Sequence, residues 1–302
     1  VQSLLAKGLL TMQDEVQDNY KPKLVKYIKL QDAFLQQEKL QELLEILGKA
    51  KKQKEIVLSY FQLQATEKKP IPAKLLLETS GVSAAVIKSL VDKQIFEEYY
   101  INTDRVSFEK EEDYEIQLSE SQTTVLESIK DKFTQFDVNL LHGVTASGKT
   151  EVYIKLIEEF LQQDKQVLFL LPEIALTTQL VQRLSAYFGN QIAVFHSKYN
   201  SNERVEVYNH VLQNSEKAKV VLGVRSALFL PFSNLGLIVV DEEHEATYKQ
   251  QDPAPRYHAR DAAIVLAKFH NAKVLLGSAT PSLETFYNVQ IKKYNIVSLV
   301  ER

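Results

Sequence analysis

The chain has 302 residues, 45% hydrophobic and 25% charged, with a net charge of −3. This is an ordinary globular mixture, long enough for one to three domains. The absence of cysteine excludes disulfides and any thiolate zinc site in these residues, and no apolar run reaches the roughly 18 residues of a membrane span.

The chain opens on Val1 without a secretory signal. The expected setting is cytoplasmic, and the sequence reads as a piece of a longer protein. A weakly acidic total argues against a uniformly basic nucleic-acid binder, but the charge is unevenly spread. Lys21 to Lys74 holds twelve Lys against six Asp and Glu, while Glu97 to Glu115 holds eight acidic residues against Arg105 and Lys110. The positive stretch suits a phosphate backbone; a solvated helical surface has the same composition.

Residues 1–49 predict helix, polar and Gln-rich, with Leu40, Leu43, Leu44 and Leu47 at helical spacing and Gly48 as a stop. Residues 50–108 predict a small winged-helix domain. "KKQKEIVLSYFQL", "IPAKLLLET" with Pro72 near its first turn, and "GVSAAVIKSLVDKQIF" with Ser83 as N-cap supply three helices. "EEYYIN" and "RVSF" supply two strands of a wing. Such a unit binds DNA in some proteins and only packs in others. The acidic "EKEEDYEIQ", 109–117, reads as a linker and domain boundary.

Residues 118–302 predict an α/β fold. The runs "VNLLHG", "QVLFLLPE", "IAVFH", "KVVLGV", "LGLIVVDEE" and "KVLLGSAT" alternate with helical stretches. Near-continuous apolar strands between helices indicate a parallel sheet covered on both faces. Polar residues gather at the carboxyl ends of these runs, the edge where open α/β sheets bind ligands.

The first such end carries Gly143-Val144-Thr145-Ala146-Ser147-Gly148-Lys149-Thr150, a full G-x-x-x-x-G-K-[ST] between a strand and a helix. Its backbone N–H groups and the helix N-terminus suit phosphates, Lys149 suits the β and γ phosphates of ATP, and the Thr150 hydroxyl suits Mg²⁺. A kinase, a GTPase and a DNA motor share this loop. "LIVVDEEH" supplies Asp241 as a second Mg²⁺ ligand and Glu242 as the group that accepts a proton from attacking water. His244 follows, and Ser278 and Thr280 in "GSATPS" are placed to hydrogen-bond the acidic motif and relay the state of the γ-phosphate. A small-molecule kinase has no need of these last residues.

"LLHGVTASGKTEVY", "LPEIALTTQL", "HS" at 196–197, "VVLGVRSALFLPF", "IVVDEEHEATYKQQDPAPRYHARDAA" and "GSATPSLET" together resemble the primosomal protein N′ (PriA) family of bacterial replication-restart helicases, in superfamily 2. The resemblance is dense over 118–302 and looser over 1–117, where "YKPK" and the winged-helix pattern are similar to the region following that family's N-terminal DNA-binding domain. It implies a RecA-like ATP-binding first motor lobe at 118–302, preceded by the winged helix, with 1–49 a linker or remnant of the earlier domain.

The resemblance also implies roles. Gln122 recognises adenine. Arg225, Ser226, His196 and Ser197 contact DNA, with Thr178 in "LPEIALTTQL" beside Pro172, Glu173, Thr177 and Gln179. Tyr248, Lys249, Arg256, Tyr257 and His258 form an aromatic-rich loop, stiffened by Pro253 and Pro255, that stacks on unpaired bases and couples DNA to ATP turnover. It implies 3′→5′ unwinding, forked and single-stranded DNA as partners, primosome proteins and single-stranded DNA-binding protein as associates, and a bacterial cytoplasmic setting. The family's second motor lobe and its cysteine-rich zinc module have no counterpart here, so zinc is expected only in a missing C-terminal part, and the isolated chain is expected to bind nucleotide weakly and turn it over negligibly. Two rivals stay open: a fork-binding, primosome-recruiting module in which the motor is secondary, and another superfamily 2 DNA translocase.

Overall fold

The computed structural model describes residues 21–34, 39, 42–43, 45, 47–67, 70–106, 108, 116–172, 178–196 and 199–300. The chain divides into two compact units, Val1–Arg105 and Val106–Arg302.

In the first unit a three-stranded antiparallel sheet, order β2-β1-β3, joins β1 (Leu24–Leu30), β2 (Ile71–Pro72) and β3 (Phe96–Asn102). Three helices pack with it: α1 (Lys51–Glu67), α2 (Ala73–Ser80) and α3 (Ala84–Asp92). Ile28, Leu30, Ile56, Leu76, Leu90 and Phe96 share its buried core. The turn between α2 and α3 uses Gly81 at φ 65°, whose N–H caps the carbonyl of Leu77. Only glycine takes that left-handed position without strain.

Three expectations change here. Leu24–Leu30 is a strand rather than part of a 1–49 helix. Its β-branched and aromatic residues pair with the whole length of β3, and tertiary pairing overrides the helical spacing of the leucines further on. The winged-helix unit therefore starts well before residue 50. The strand beside "EEYYIN" is this β1; Arg105, Val106 and Phe108 of "RVSF" lie in no strand, and Phe108 packs into the second unit's core. Ser83 holds the N-cap position of α3 without a side-chain capping bond. Two lysines of the positive stretch are paired, Lys26 with Glu98 at 2.8 Å and Lys29 with Glu97 at 3.1 Å. Residues 1–20, Leu40 and Leu44 lie outside the described residues.

The second unit is the expected parallel α/β sheet, order β10-β4-β9-β8-β5-β7-β6. Its strands are β4 (Val138–Gly143), β5 (Gln166–Leu170), β6 (Ile192–Phe195), β7 (Val220–Gly223), β8 (Leu235–Val240), β9 (Lys273–Ser278) and β10 (Asn295–Leu299). Every pairing is parallel. Strand residues alternate between two cores: Leu237 and Val239 of β8 join one face, Ile238 and Val240 the other. That double burial is why the runs read as continuously apolar. Helices α4 (Glu120–Phe133), α5 (Lys149–Gln162) and α6 (Thr178–Phe188) cover the first face; α7 (Ser201–Leu212) and α8 (Ala259–His270) cover the second. Helix α9 (Leu283–Gln290) leads to β10, an edge strand that the sequence patterning did not single out. Ile116 and Leu118, at the end of the expected linker, pack against the first core. Among the described residues, no helix is long and apolar enough to cross a membrane.

Candidate nucleotide site at the strand ends

The sheet order sets the site. β4, β9 and β8 are neighbours, so the phosphate loop, Ser278 and Asp241 emerge side by side at one edge. The loop closes through a bond from the Ser147 N–H to the Val144 carbonyl at 3.2 Å. Gly148 sits at φ 83°, a left-handed position where any other residue is strained, and a Cβ there would also push aside the end of the Gln122 side chain. Ala146 also adopts a positive φ, 63°. Lys149 is 9% exposed. Its ammonium donates to the carbonyls of Gly143 (2.9 Å) and Val144 (3.4 Å) and lies 4.0 Å from Glu242. The Ser147 hydroxyl is buried without a hydrogen-bond partner.

Asp241 follows β8 and faces the loop. Burial, reinforced by the charge of Glu242, pushes its carboxyl up to about 6. Glu242 has φ 47°, a left-handed conformation that turns the chain sharply after the strand. The Tyr153 hydroxyl, fully buried in α5, donates to Asp241 Oδ1 at 2.9 Å. Gly277 of β9 makes room for it: a Cβ there would lie 1.7 Å from that hydroxyl. The sequence carried a signal for Tyr153, four residues after Lys149 and so on the same helix face, but it was not singled out.

Ser278 is fully buried, and its hydroxyl lies 2.8 Å from His244 Nδ1; Thr280 Oγ1 lies 3.4 Å from His244 Nε2. The two strand-end motifs are therefore joined through His244. Glu243, between Glu242 and His244, was also missed. It is 0% exposed and fully saturated. Oε1 accepts the Ser282 N–H (2.7 Å), and Oε2 accepts from Arg260 (2.9 Å) and the Thr285 hydroxyl (2.8 Å). This clamp ties the acidic motif to the first turns of α8 and α9.

A cleft of about 360 Å³ is lined by Thr145 through Glu151, Asp241, Glu242 and Arg183. Two underpaired carboxylates, the Thr150 hydroxyl and an orphaned loop hydroxyl share it. This donor set fits a nucleotide phosphate chain with a divalent cation, whose charge would offset the burial and the neighbouring Glu242 charge that raise Asp241. Gln122 reaches the Gly148 carbonyl at 3.4 Å, so it does border the loop, while its Oε1 accepts the Ser119 N–H in a capping box that starts α4.

The residues expected to touch DNA divide. Arg225, Lys249, Tyr257 and His258 come together: Arg225 donates to the carbonyls of Thr247 and Lys249 at 3.3 and 3.1 Å, the Tyr257 hydroxyl to the Arg225 carbonyl at 3.4 Å, and Lys249 pairs with His258 across a β-bridge. Arg256 is exposed, and its carbonyl accepts from Lys249. Tyr248 is a correction. It is 1% exposed and its hydroxyl lies 2.7 Å from the Asp241 carbonyl and 3.0 Å from that of Leu170, so no ring face is open to a base. Its neighbour in sequence hid this, since a ring in a Pro-rich loop looks exposed. Phe229, 67% exposed and edge-on to Tyr257 at 5.2 Å, is the open ring that the reading missed. Burial, with the nearby Arg260, holds His258 below the usual imidazole value. Ser226 is half-buried; the His196 ring packs on Tyr199. Ser197, Glu173 and Thr177 lie outside the described residues, and Thr178 is placed only as the first residue of α6.

A parallel sheet with a phosphate-loop motif and a strand-end acid pair beside it defines a phosphate-loop α/β lobe. The family model for DEAD/DEAH box helicases matches residues 119–289, and the chain belongs to that family. A second model, described as "Winged helix domain, PriA helicase, Bacteroidota", matches residues 25–103, which agrees with a unit that includes β1. The chain is similar to replication restart protein PriA of Bacillus subtilis (strain 168), 36% identical over 100% of this chain and 37% of that protein. It is 43% identical to the Haemophilus influenzae protein of the same name, over 80% of this chain and 34% of that one, and 50% identical to the Rickettsia felis protein, over 54% and 25%. The chain thus spans about a quarter to over a third of the length of these relatives.

Proposed function

We propose that the chain carries the nucleotide-binding lobe and winged helix of an ATP-dependent 3′→5′ DNA helicase that restarts replication at stalled or abandoned forks. The observation that supports this most is the continuous chain Lys149–Glu242–His244–Ser278 across three neighbouring strand ends, in a chain similar throughout to replication-restart proteins. In this reading Lys149 and the loop N–H groups bind the ATP phosphates, and Thr150 and Asp241 hold Mg²⁺, which neutralises charge on the transferred phosphoryl group. Tyr153 orients Asp241. Glu242 positions the attacking water and takes its proton. His244, Ser278 and Thr280 link that carboxylate to β9, and Gln122 reads the base. Arg225, Lys249, Arg256, Tyr257 and Phe229 form the surface for single-stranded and forked DNA, beside His196, Ser226 and, by resemblance alone, Ser197 and Thr178. Primosome proteins and single-stranded DNA-binding protein as partners, and zinc elsewhere in a longer protein, also rest on resemblance alone.

The test is steady-state ATP hydrolysis with and without forked DNA, with Lys149→Ala as control. The proposal expects nucleotide binding that Lys149→Ala abolishes, and no unwinding by the 302-residue chain alone. Nucleotide binding untouched by Lys149→Ala would defeat the site assignment. A recruiting role for the winged helix, favoured by its separate compact core, predicts fork binding that survives Lys149→Ala.

A further inference from the structure

Among the described residues that line the nucleotide cleft, one cation belongs to no recognised motif. Arg183 lies on α6 and lines the same cleft as the phosphate loop, Asp241 and Glu242. Its guanidinium pairs with Glu151 Oε1. Glu151 directly follows Thr150 in the first turn of α5. Its other oxygen, Oε2, is buried with no hydrogen-bond partner.

We infer that Arg183 is a second nucleotide-binding arm, which leaves Glu151 for the α-phosphate side of a bound nucleoside di- or triphosphate. The inference rests on the nucleotide reading above and names a residue that it does not contain. Position supports it first. Lys149 is deep, 9% exposed, where a phosphate-loop lysine serves the β and γ phosphates. The Arg183 side chain is 38% exposed, more open to solvent than Lys149, which suits the α-phosphate end of a nucleotide rather than the γ-phosphate end. Charge supports it next. Lys149 and Arg183 face Glu151, Asp241 and Glu242, a formal total of −1 in a cleft that must accept an anion. Without Arg183 that total becomes −2. A guanidinium fork also matches phosphate oxygens bidentately.

The contrast with Glu243 argues against a simple tie between α5 and α6. A purely structural buried carboxylate has both oxygens filled, as Glu243 does. Glu151 has one oxygen on Arg183 and one orphaned, so its pairing is incomplete where that of Glu243 is complete.

The experiment is equilibrium titration of the 302-residue chain with ADP·Mg²⁺ and with ATP·Mg²⁺, by calorimetry, alongside thermal melting without nucleotide. Arg183→Ala should weaken both ligands about tenfold, the loss of one charge-assisted contact. Arg183→Lys should recover part of that loss and serves if the alanine variant does not fold. Glu151→Gln should leave affinity unchanged or tighter, because it removes a negative charge that competes with the phosphates for Arg183. A structural tie predicts instead that Glu151→Gln weakens binding as much as Arg183→Ala, and that result would overturn the inference. Unchanged affinity in both Arg183 variants would overturn it too. If the wild-type chain binds neither nucleotide, the nucleotide reading itself fails and this inference with it. Binding lost in Lys149→Ala but kept in Arg183→Ala rejects Arg183 alone.

Discussion

Glu242 and Glu243 are adjacent in sequence and opposite in surroundings. Around Glu243 every acceptor is filled: a backbone N–H, two hydroxyls and the Arg260 guanidinium close on a fully buried carboxylate. Around Glu242 and Asp241 the acceptors outnumber the donors, with Tyr153 and a distant Lys149 facing two carboxylates. The saturated side holds the fold together. On the unsaturated side, burial and the neighbouring Glu242 charge raise Asp241. Saturation thus distinguishes acids that residue type does not.

Glu243→Ala breaks that comparison most sharply. It strands Arg260, 6% exposed, without its buried partner, and a buried pair broken on one side costs about 3–5 kcal/mol. Calorimetric melting should show the loss, and an unchanged melting temperature would make the clamp ornamental.

Gly277→Ala should cost less, about 1–3 kcal/mol of overpacking, because its Cβ meets the Tyr153 hydroxyl. Tyr153→Phe in the same chain removes the obstructing oxygen and should restore part of the stability. A double variant no better than Gly277→Ala alone would place the strain elsewhere.

The smallest effect has the opposite sign. Asp241→Asn keeps the shape and removes one of two mutually repelling charges. At pH 7 the nucleotide-free chain should gain rather than lose stability, since ionising a buried acid whose value lies above the ordinary one costs folding energy. Mg²⁺ should no longer stabilise that variant. A destabilised variant would show that Asp241 is paired better than its surroundings indicate.

Much of this was legible beforehand. The phosphate loop, the acid pair and the parallel sheet were read from residue types at fixed spacing beside apolar runs, and the Ser278–His244 contact was anticipated. Tyr248 was misjudged because local composition cannot tell a ring over a strand end from a ring in solvent. β1 was taken for helix because its partner lies about 70 residues on in β3. Glu243 and Arg260 stand inside quoted motifs, but residue type does not announce their pairing, which comes from what they face.

By itself, the sequence determined the local chemistry: which segments turn, which strands are buried on both faces, and which loop can cradle phosphate. These follow from short-range sterics and periodicity, which each segment carries alone. Only the tertiary structure decided that β9 lies between β4 and β8, which brings Gly277 against Tyr153 and Ser278 against His244. That order is set by the packing of the whole sheet and its helices, a sum over distant contacts that no single segment encodes.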